Sequence, residues 1–155
     1  MEYIAPGLLV LSGIVFLSIY LTEQRKLKAE KKDYLTLLST YGTLKEENGR
    51  YFFNMHGEDV EICFFILKQN EELILNSRVM WEIFRMKKAM IVDQTEFLSG
   101  PLIKWIIIYP STAFIKRYIN ENEMEFLKPE DVIYDYQIIS GFDLERFLKE
   151  KTDGI

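Results

Sequence analysis

The sequence contains one cysteine, Cys63, and one histidine, His56. A single thiol cannot form a disulfide within the chain, and a cysteine inside an apolar run is typical of a small core residue. One histidine is a poor basis for a metal site. A turn at His56 explains the neighbouring polar residues Glu58 and Asp59, so we predict no bound metal there.

The chain also lacks the short motifs of the common enzyme classes. It has no glycine-rich phosphate loop, no CxxC pair, no GxSxG nucleophile turn and no HExxH helix. Internal repeats and low-complexity segments are missing too. These absences leave the question of enzymatic activity open but favour a protein without catalysis.

Charge is absent between Ile4 and Leu21. Eighteen helical residues span about 27 Å, which approaches the thickness of a bilayer core. Tyr3 and Tyr20 flank the stretch, as interfacial aromatic residues do. A cleaved signal peptide lacks support because no basic segment precedes the run, and a buried core helix is rarely so free of charge. The sequence therefore predicts a transmembrane anchor over residues 1–21.

Basic residues follow this apolar stretch: Arg25, Lys26, Lys28, Lys31 and Lys32. Residues 1–32 carry a net charge of +2, which leaves −7 for residues 33–155 of the total of −5. Positive charge beside a membrane segment predicts an N-terminus outside the cell membrane and a cytoplasmic C-terminal domain. The same cations are positioned to contact lipid headgroups or act only as a topology signal. The acidic remainder argues against general nucleic-acid binding.

The rest of the chain predicts one mixed α/β (α+β) domain over residues 43–155, joined to the anchor by a basic helical linker over 22–42. Helical spacing of apolar residues ends near Tyr41, before Gly42. Strands are expected at 50–55, 59–67, 72–76, 102–109 and 132–139, with a turn at His56-Gly57. Residues 78–92 fit either an amphipathic helix or a strand. Helices are expected at 111–121 and after Ser140.

This element order resembles the core of the restriction-endonuclease-like, or PD-(D/E)xK, superfamily. The resemblance implies a carboxylate on the second strand, Asp59 or Glu61, and Mg²⁺ bound by carboxylates. On the third strand it implies an acid-x-lysine triplet, where this chain has Asn76-Ser77-Arg78. Asparagine binds Mg²⁺ more weakly than a carboxylate and arginine stays protonated, so the hydrolytic site is disabled unless Glu82 replaces the missing acid.

Asn76, Arg78 and Trp81 form a second candidate site, for a ligand or a partner protein. The alternative is that Trp81 belongs to the core and that Asn76 or Ser77 caps a helix. The acidic stretch 118–125 fits a solvated helix end better than a cation site.

Taken together, the residues predict a single-pass membrane protein whose cytoplasmic domain binds a partner or ligand without catalysis and without a cofactor. One alternative is a membrane-tethered, Mg²⁺-dependent nuclease. A further alternative is an accessory subunit of a membrane complex that contacts other membrane proteins through its anchor helix.

Overall fold

A computed structural model describes residues 4–111, 115–120, 123–128 and 131–154, except for the side chains of residues 4–9 and 120. The chain divides into two compact units, Met1–Tyr34 and Leu35–Ile155. The predicted division into anchor, linker and domain at residues 21 and 42 stays a prediction.

Helix α1 (Ile4–Tyr41) contains both the predicted anchor and the predicted helical linker. The N–H of Gly42 donates to the carbonyl of Leu38 at 3.1 Å. A Cβ at Gly42 would lie 2.3 Å from the carbonyl oxygen of Asn54, so only glycine fits where the helix ends. The predicted helix end at Tyr41 is confirmed.

The predicted membrane localisation is wrong. Among the residues that the structure describes, no helix is long and apolar enough to cross a membrane. Tyr3 and the side chains of residues 4–9 lie outside the described residues.

The predicted orientation, with the N-terminus outside the membrane, is wrong as well, because it assumed a membrane span. Those residues lie on α1, at positions Arg25, Lys26, Lys28, Lys31 and Lys32. Their contact with lipid headgroups stays a prediction.

The second unit contains two mixed β-sheets. The first sheet has the order β1-β2-β3-β7-β11-β10. Its central pairs β3–β7 and β7–β11 are parallel, and the outer pairs are antiparallel. The strand bounds are β1 (Thr43–Glu47), β2 (Arg50–Met55), β3 (Glu58–Leu67), β7 (Ile103–Pro110), β10 (Val132–Ile133) and β11 (Tyr136–Ser140).

The second sheet has the order β6-β5-β4-β8-β9, with a parallel pair at β4–β8. Its strands are β4 (Glu72–Leu75), β5 (Met80–Arg85), β6 (Lys88–Asp93), β8 (Ile115–Asn120) and β9 (Glu123–Phe126). A four-residue helix, α2 (Thr95–Leu98), precedes β7, and helix α3 (Leu144–Asp153) follows β11.

One apolar core joins side chains from both sheets. Phe65 and Ile106 of the first sheet belong to the same buried cluster as Leu75 and Trp81 of the second. On the other face of the first sheet, Trp105 packs edge-on against Phe147 of α3, with ring centroids 5.0 Å apart. The first sheet is therefore covered on both faces, as its run of apolar residues predicts.

Several predicted elements are confirmed. The strand at 50–55 and the strand at 102–109 are present within one residue of their predicted bounds, and β3 is central as expected. His56 and Gly57 have φ values of 54° and 87°, as a tight hairpin turn requires. The C-terminal helix buries Leu144, Phe147 and Leu148. The predicted mixed α/β class is confirmed, although the domain contains two sheets where we expected one.

Other predictions are wrong. Residues 115–120 form strand β8 where we expected a helix, and Tyr118 and Ile119 on it are exposed. Cross-strand ion pairs explain the difference, because Lys116 contacts Glu72 and Arg117 contacts Glu125, each at 2.8 Å. The acidic stretch 118–125 is thus part of a hairpin, with residues 121 and 122 outside the described residues.

Three further strand assignments change. Residues 78–92 contain the two strands β5 and β6, and β1 had no counterpart in the prediction. The predicted strand at 132–139 is divided by a turn at residues 134–135, so that β10 forms the sheet edge and β11 is internal. Strand β4 does not continue the antiparallel run of β1 to β3, because it belongs to the second sheet.

Candidate functional site

The predicted carboxylates Asp59 and Glu61 lie two residues apart on β3 and therefore point to the same face of the first sheet. Asp59 is exposed, and its Oδ1 accepts a hydrogen bond from Nδ2 of Asn54 at 2.7 Å. A groove of about 400 Å³ opens over this part of the sheet, with Lys45, Glu47 and Asp59 in its lining.

Glu61 is buried, at 2% exposure, between two cations. Arg50 donates from Nε to Oε1 at 2.6 Å, and the ammonium of Lys104 donates to Oε2. Lys104 is itself 1% exposed, and its Nζ lies 5.2 Å from the ring centre of Phe97. Both carboxylate oxygens are engaged, so Glu61 is neither a vacant metal ligand nor a ready general base.

Glu82 lies apart from these residues, on β5 of the second sheet. Its neighbours Trp81 and Ile83 point into the core, so Glu82 points to the opposite, outer face. There its Oε2 accepts a hydrogen bond from Asn76 at 3.1 Å. The three tentative catalytic residues therefore do not meet in one cleft. Within the described ranges, no group of three or more His, Cys, Asp and Glu residues is arranged to hold a metal ion.

The ligand-site candidates Asn76, Arg78 and Trp81 also separate. Trp81 is 1% exposed and packs against Phe65 and Tyr136, with ring centroids 5.4 and 5.6 Å away. The core alternative for Trp81 is therefore the correct one. Asn76 faces the outer side with Glu82, and Ser77 Oγ accepts from the N–H of Met80 at the start of a strand, not of a helix.

Arg78 has a structural role that the sequence did not reveal. Its guanidinium pairs with both carboxylate oxygens of Asp135, including an Nε to Oδ1 bond of 2.8 Å, and Nη2 donates to the carbonyl of Leu98 at 2.8 Å. Asp135 lies in the turn between β10 and β11, so Arg78 fastens the second sheet to the first and to α2. This hydrogen bond holds the pKa of the Asp135 carboxyl below its usual range.

The hydroxyl of Tyr136 is buried without a hydrogen-bond partner among the described residues. Burial raises the pKa of this phenol above its usual value, so it stays neutral at any physiological pH. Cys63 packs against the shared core as a partly buried side chain, as the sequence predicted.

The exposed surface that the sequence analysis missed is the edge strand β6. Met90 is 57% exposed and Ile91 is 68% exposed, and both belong to the apolar run Ala89 to Val92. On the neighbouring strand, Phe84 lies opposite Ala89 and is also exposed. A cavity of about 630 Å³ adjoins the hairpin end, with Ile83, Met86 and Met90 in its lining.

The other sheet edges in the described part of the chain are protected against strand addition. Three of the five residues of β1 are charged, β10 has two residues, and β9 is short with two glutamates. Short length and charge are the usual protections of an edge strand. Strand β6 is longer, with six residues, and its charges stand only at its two ends, so its apolar centre lacks both protections.

Comparison with known proteins finds no matching family model, no matching curated protein and no matching solved structure. The resemblance to restriction-endonuclease-like domains therefore stays a prediction. The observed strand order differs from the one that the resemblance assumed. Strand β3 is the third strand of the antiparallel run, and Asn76-Ser77-Arg78 lies outside that sheet.

Proposed function

We propose that this chain is a non-catalytic interaction domain that accepts an added β-strand from a partner chain at the open edge of β6. The observation that supports it is the contrast between this apolar, exposed edge and the charged or short edges elsewhere in the described sheets. Recognition by strand addition draws affinity from backbone hydrogen bonds and specificity from alternate side chains.

The hairpin geometry defines which backbone groups β6 offers. Gln94 donates its N–H to the carbonyl of Val79 at 2.8 Å, and a two-residue turn joins Arg85 to Lys88. Even-numbered residues of β6 therefore bond to β5, because hydrogen-bonded pairs alternate along an antiparallel ladder. The N–H and C=O groups of Ala89, Ile91 and Asp93 face the open edge.

A proline at this edge provides the test. Peptides selected from a displayed random library on the purified full-length chain should alternate apolar residues with a period of two. Ile91→Pro should weaken their binding about tenfold, because it removes an outward N–H without breaking a β5–β6 hydrogen bond. Binding would be measured by fluorescence anisotropy of the selected peptides.

The matched control is Glu46→Pro in β1. Glu47 and Arg50 flank the Asn48-Gly49 turn, so the N–H of Glu46 also faces an open edge, that of the first sheet. Peptide binding should survive this change. Equal loss in both variants, or full binding by Ile91→Pro, would exclude strand addition at β6.

A further inference from the structure

Strand β6 has charges arranged for pairing with itself. Its apolar centre Ala89 to Val92 is preceded by Lys87, in the hairpin turn, and Lys88, at the start of the strand, and is followed by Asp93 at its end. Lys87 makes no ion pair with any described residue. Asp93 accepts a hydrogen bond from the N–H of Thr95 at 2.8 Å, and its pKa lies below the usual range because Thr95 donates to it. The Asp93 carboxylate is therefore charged at neutral pH.

Two copies of one strand can pair antiparallel about a two-fold axis perpendicular to the sheet. Rotation about such an axis maps each face of the sheet onto the same face. Odd-numbered residues of β6 must therefore lie opposite odd-numbered residues of the other copy. This condition agrees with the hydrogen-bonding geometry, because the outward backbone groups are those of the odd residues Ala89, Ile91 and Asp93.

Charge then selects among the permitted registers. When the axis passes through Met90, Ala89 lies opposite Ile91, and Lys87, in the turn just before β6, lies beside Asp93 of the other copy. When it passes through Ile91, Asp93 lies opposite Ala89 and the ion pairs are lost. Opposite charges directly across a strand pair stabilise it, so the first register is preferred.

We propose that the strand added at β6 is β6 of a second copy of this chain, in the antiparallel register centred on Met90. This inference rests on the proposed function and names its partner. The five-stranded sheets of the two copies become one continuous ten-stranded sheet. On its outer face, the exposed Ile91 of each copy lies beside Ala89 and Phe84 of the other copy. The two apolar edges are removed from solvent together.

Charge reversal tests the proposal, with the full-length chain followed by sedimentation at several concentrations. Lys87→Asp and Asp93→Lys should each weaken dimerisation about tenfold, because the two-fold axis turns two attractive pairs into two repulsive ones. The double variant should recover dimerisation to within about threefold of the wild type, since it restores both pairs with the signs exchanged. Lys45→Asp, on the edge strand of the first sheet, is the matched control and should change nothing.

Disulfide trapping tests the register independently of the charge variants. In a Cys63→Ala background, Met90→Cys should form a dimer under mild oxidation, because its Cα and that of its copy are about 4.5 Å apart in a non-hydrogen-bonded pair. Ile91→Cys should not, because its opposite residue is Ala89. A dimer trapped only through residue 91 would overturn the register.

The outcomes separate the inference from the proposed function. A chain that stays monomeric, yet binds selected peptides through β6, overturns the self-pairing and leaves strand addition standing. Dimers that persist unchanged in all charge variants and in Ile91→Pro would place the contact elsewhere and overturn the self-pairing too.

Discussion

At the scale of single residues, the buried ion pair between Glu61 and Lys104 shows how this domain accommodates charge in its core. The two residues lie side by side in register on β3 and β7. Gly100 covers the pair, since a Cβ there would lie 3.0 Å from the Lys104 ammonium. Removing one partner of such a pair leaves the other charged and buried, which is more costly than removing both.

We therefore expect Glu61→Leu to lower the free energy of unfolding by about 3 kcal/mol or more, because Lys104 would remain as an unpaired buried cation. The double variant Glu61→Leu with Lys104→Met should recover a large part of that loss. A double-mutant cycle measured by urea unfolding checks this. Additive losses in the double variant would show that the two charges do not depend on each other.

The sequence could predict β3 but not its ion pair. An unbroken apolar stretch identified a central strand with both faces covered, because local pattern determines burial. The partner of Glu61 lies 43 residues later in another apolar run, and no local rule connects the two. Arg78 and Asp135, 57 residues apart, escaped prediction for the same reason.

At the scale of elements, the β5–β6 hairpin is closed by an unusual turn. Met86 and Lys87 have φ values of 46° and 64°, a region that glycine and asparagine occupy far more easily than longer side chains. The other two such turns use Asn48-Gly49 and His56-Gly57. This absence of turn residues explains why 78–92 fitted a helix as well as a strand.

Met86→Asn with Lys87→Gly should relieve this backbone strain. We expect the free energy of unfolding to rise by about 1 kcal/mol, seen as a higher midpoint in thermal unfolding. Asn48→Met with Gly49→Lys, which installs the same two residues in the β1–β2 turn, should lower the midpoint by a similar amount. A drop in stability for the first double variant would contradict the turn assignment.

At the scale of the whole second unit, Arg78 ties the two sheets together from outside the apolar core. Its pair with Asp135 is partly exposed, at 39% and 54% of the two side chains. The lowered pKa of Asp135 means that this contribution to stability is complete above the ordinary carboxyl range near pH 4. It is lost as the pH falls through the lower, folded-state value.

Asp135→Asn should accordingly reduce the acid sensitivity of the domain. Between pH 5 and pH 2 the wild type should lose slightly more of its free energy of unfolding than the variant, measured by urea unfolding at each pH. The difference should be small because water screens a half-exposed pair. An equal or steeper acid loss in Asp135→Asn would show that other carboxyls dominate.

The parallel pairing of β3 with β7 has a consequence for synthesis of the chain. Residues paired at the centre of the first sheet, such as Glu61 and Lys104, are 43 positions apart, and the intervening segment builds three strands of the other sheet. At about 5–20 residues per second, translation of that segment takes roughly 2–9 seconds. For that interval, β3 has its apolar faces uncovered and one side unpaired, so the nascent chain is most exposed to aggregation before β7 is made.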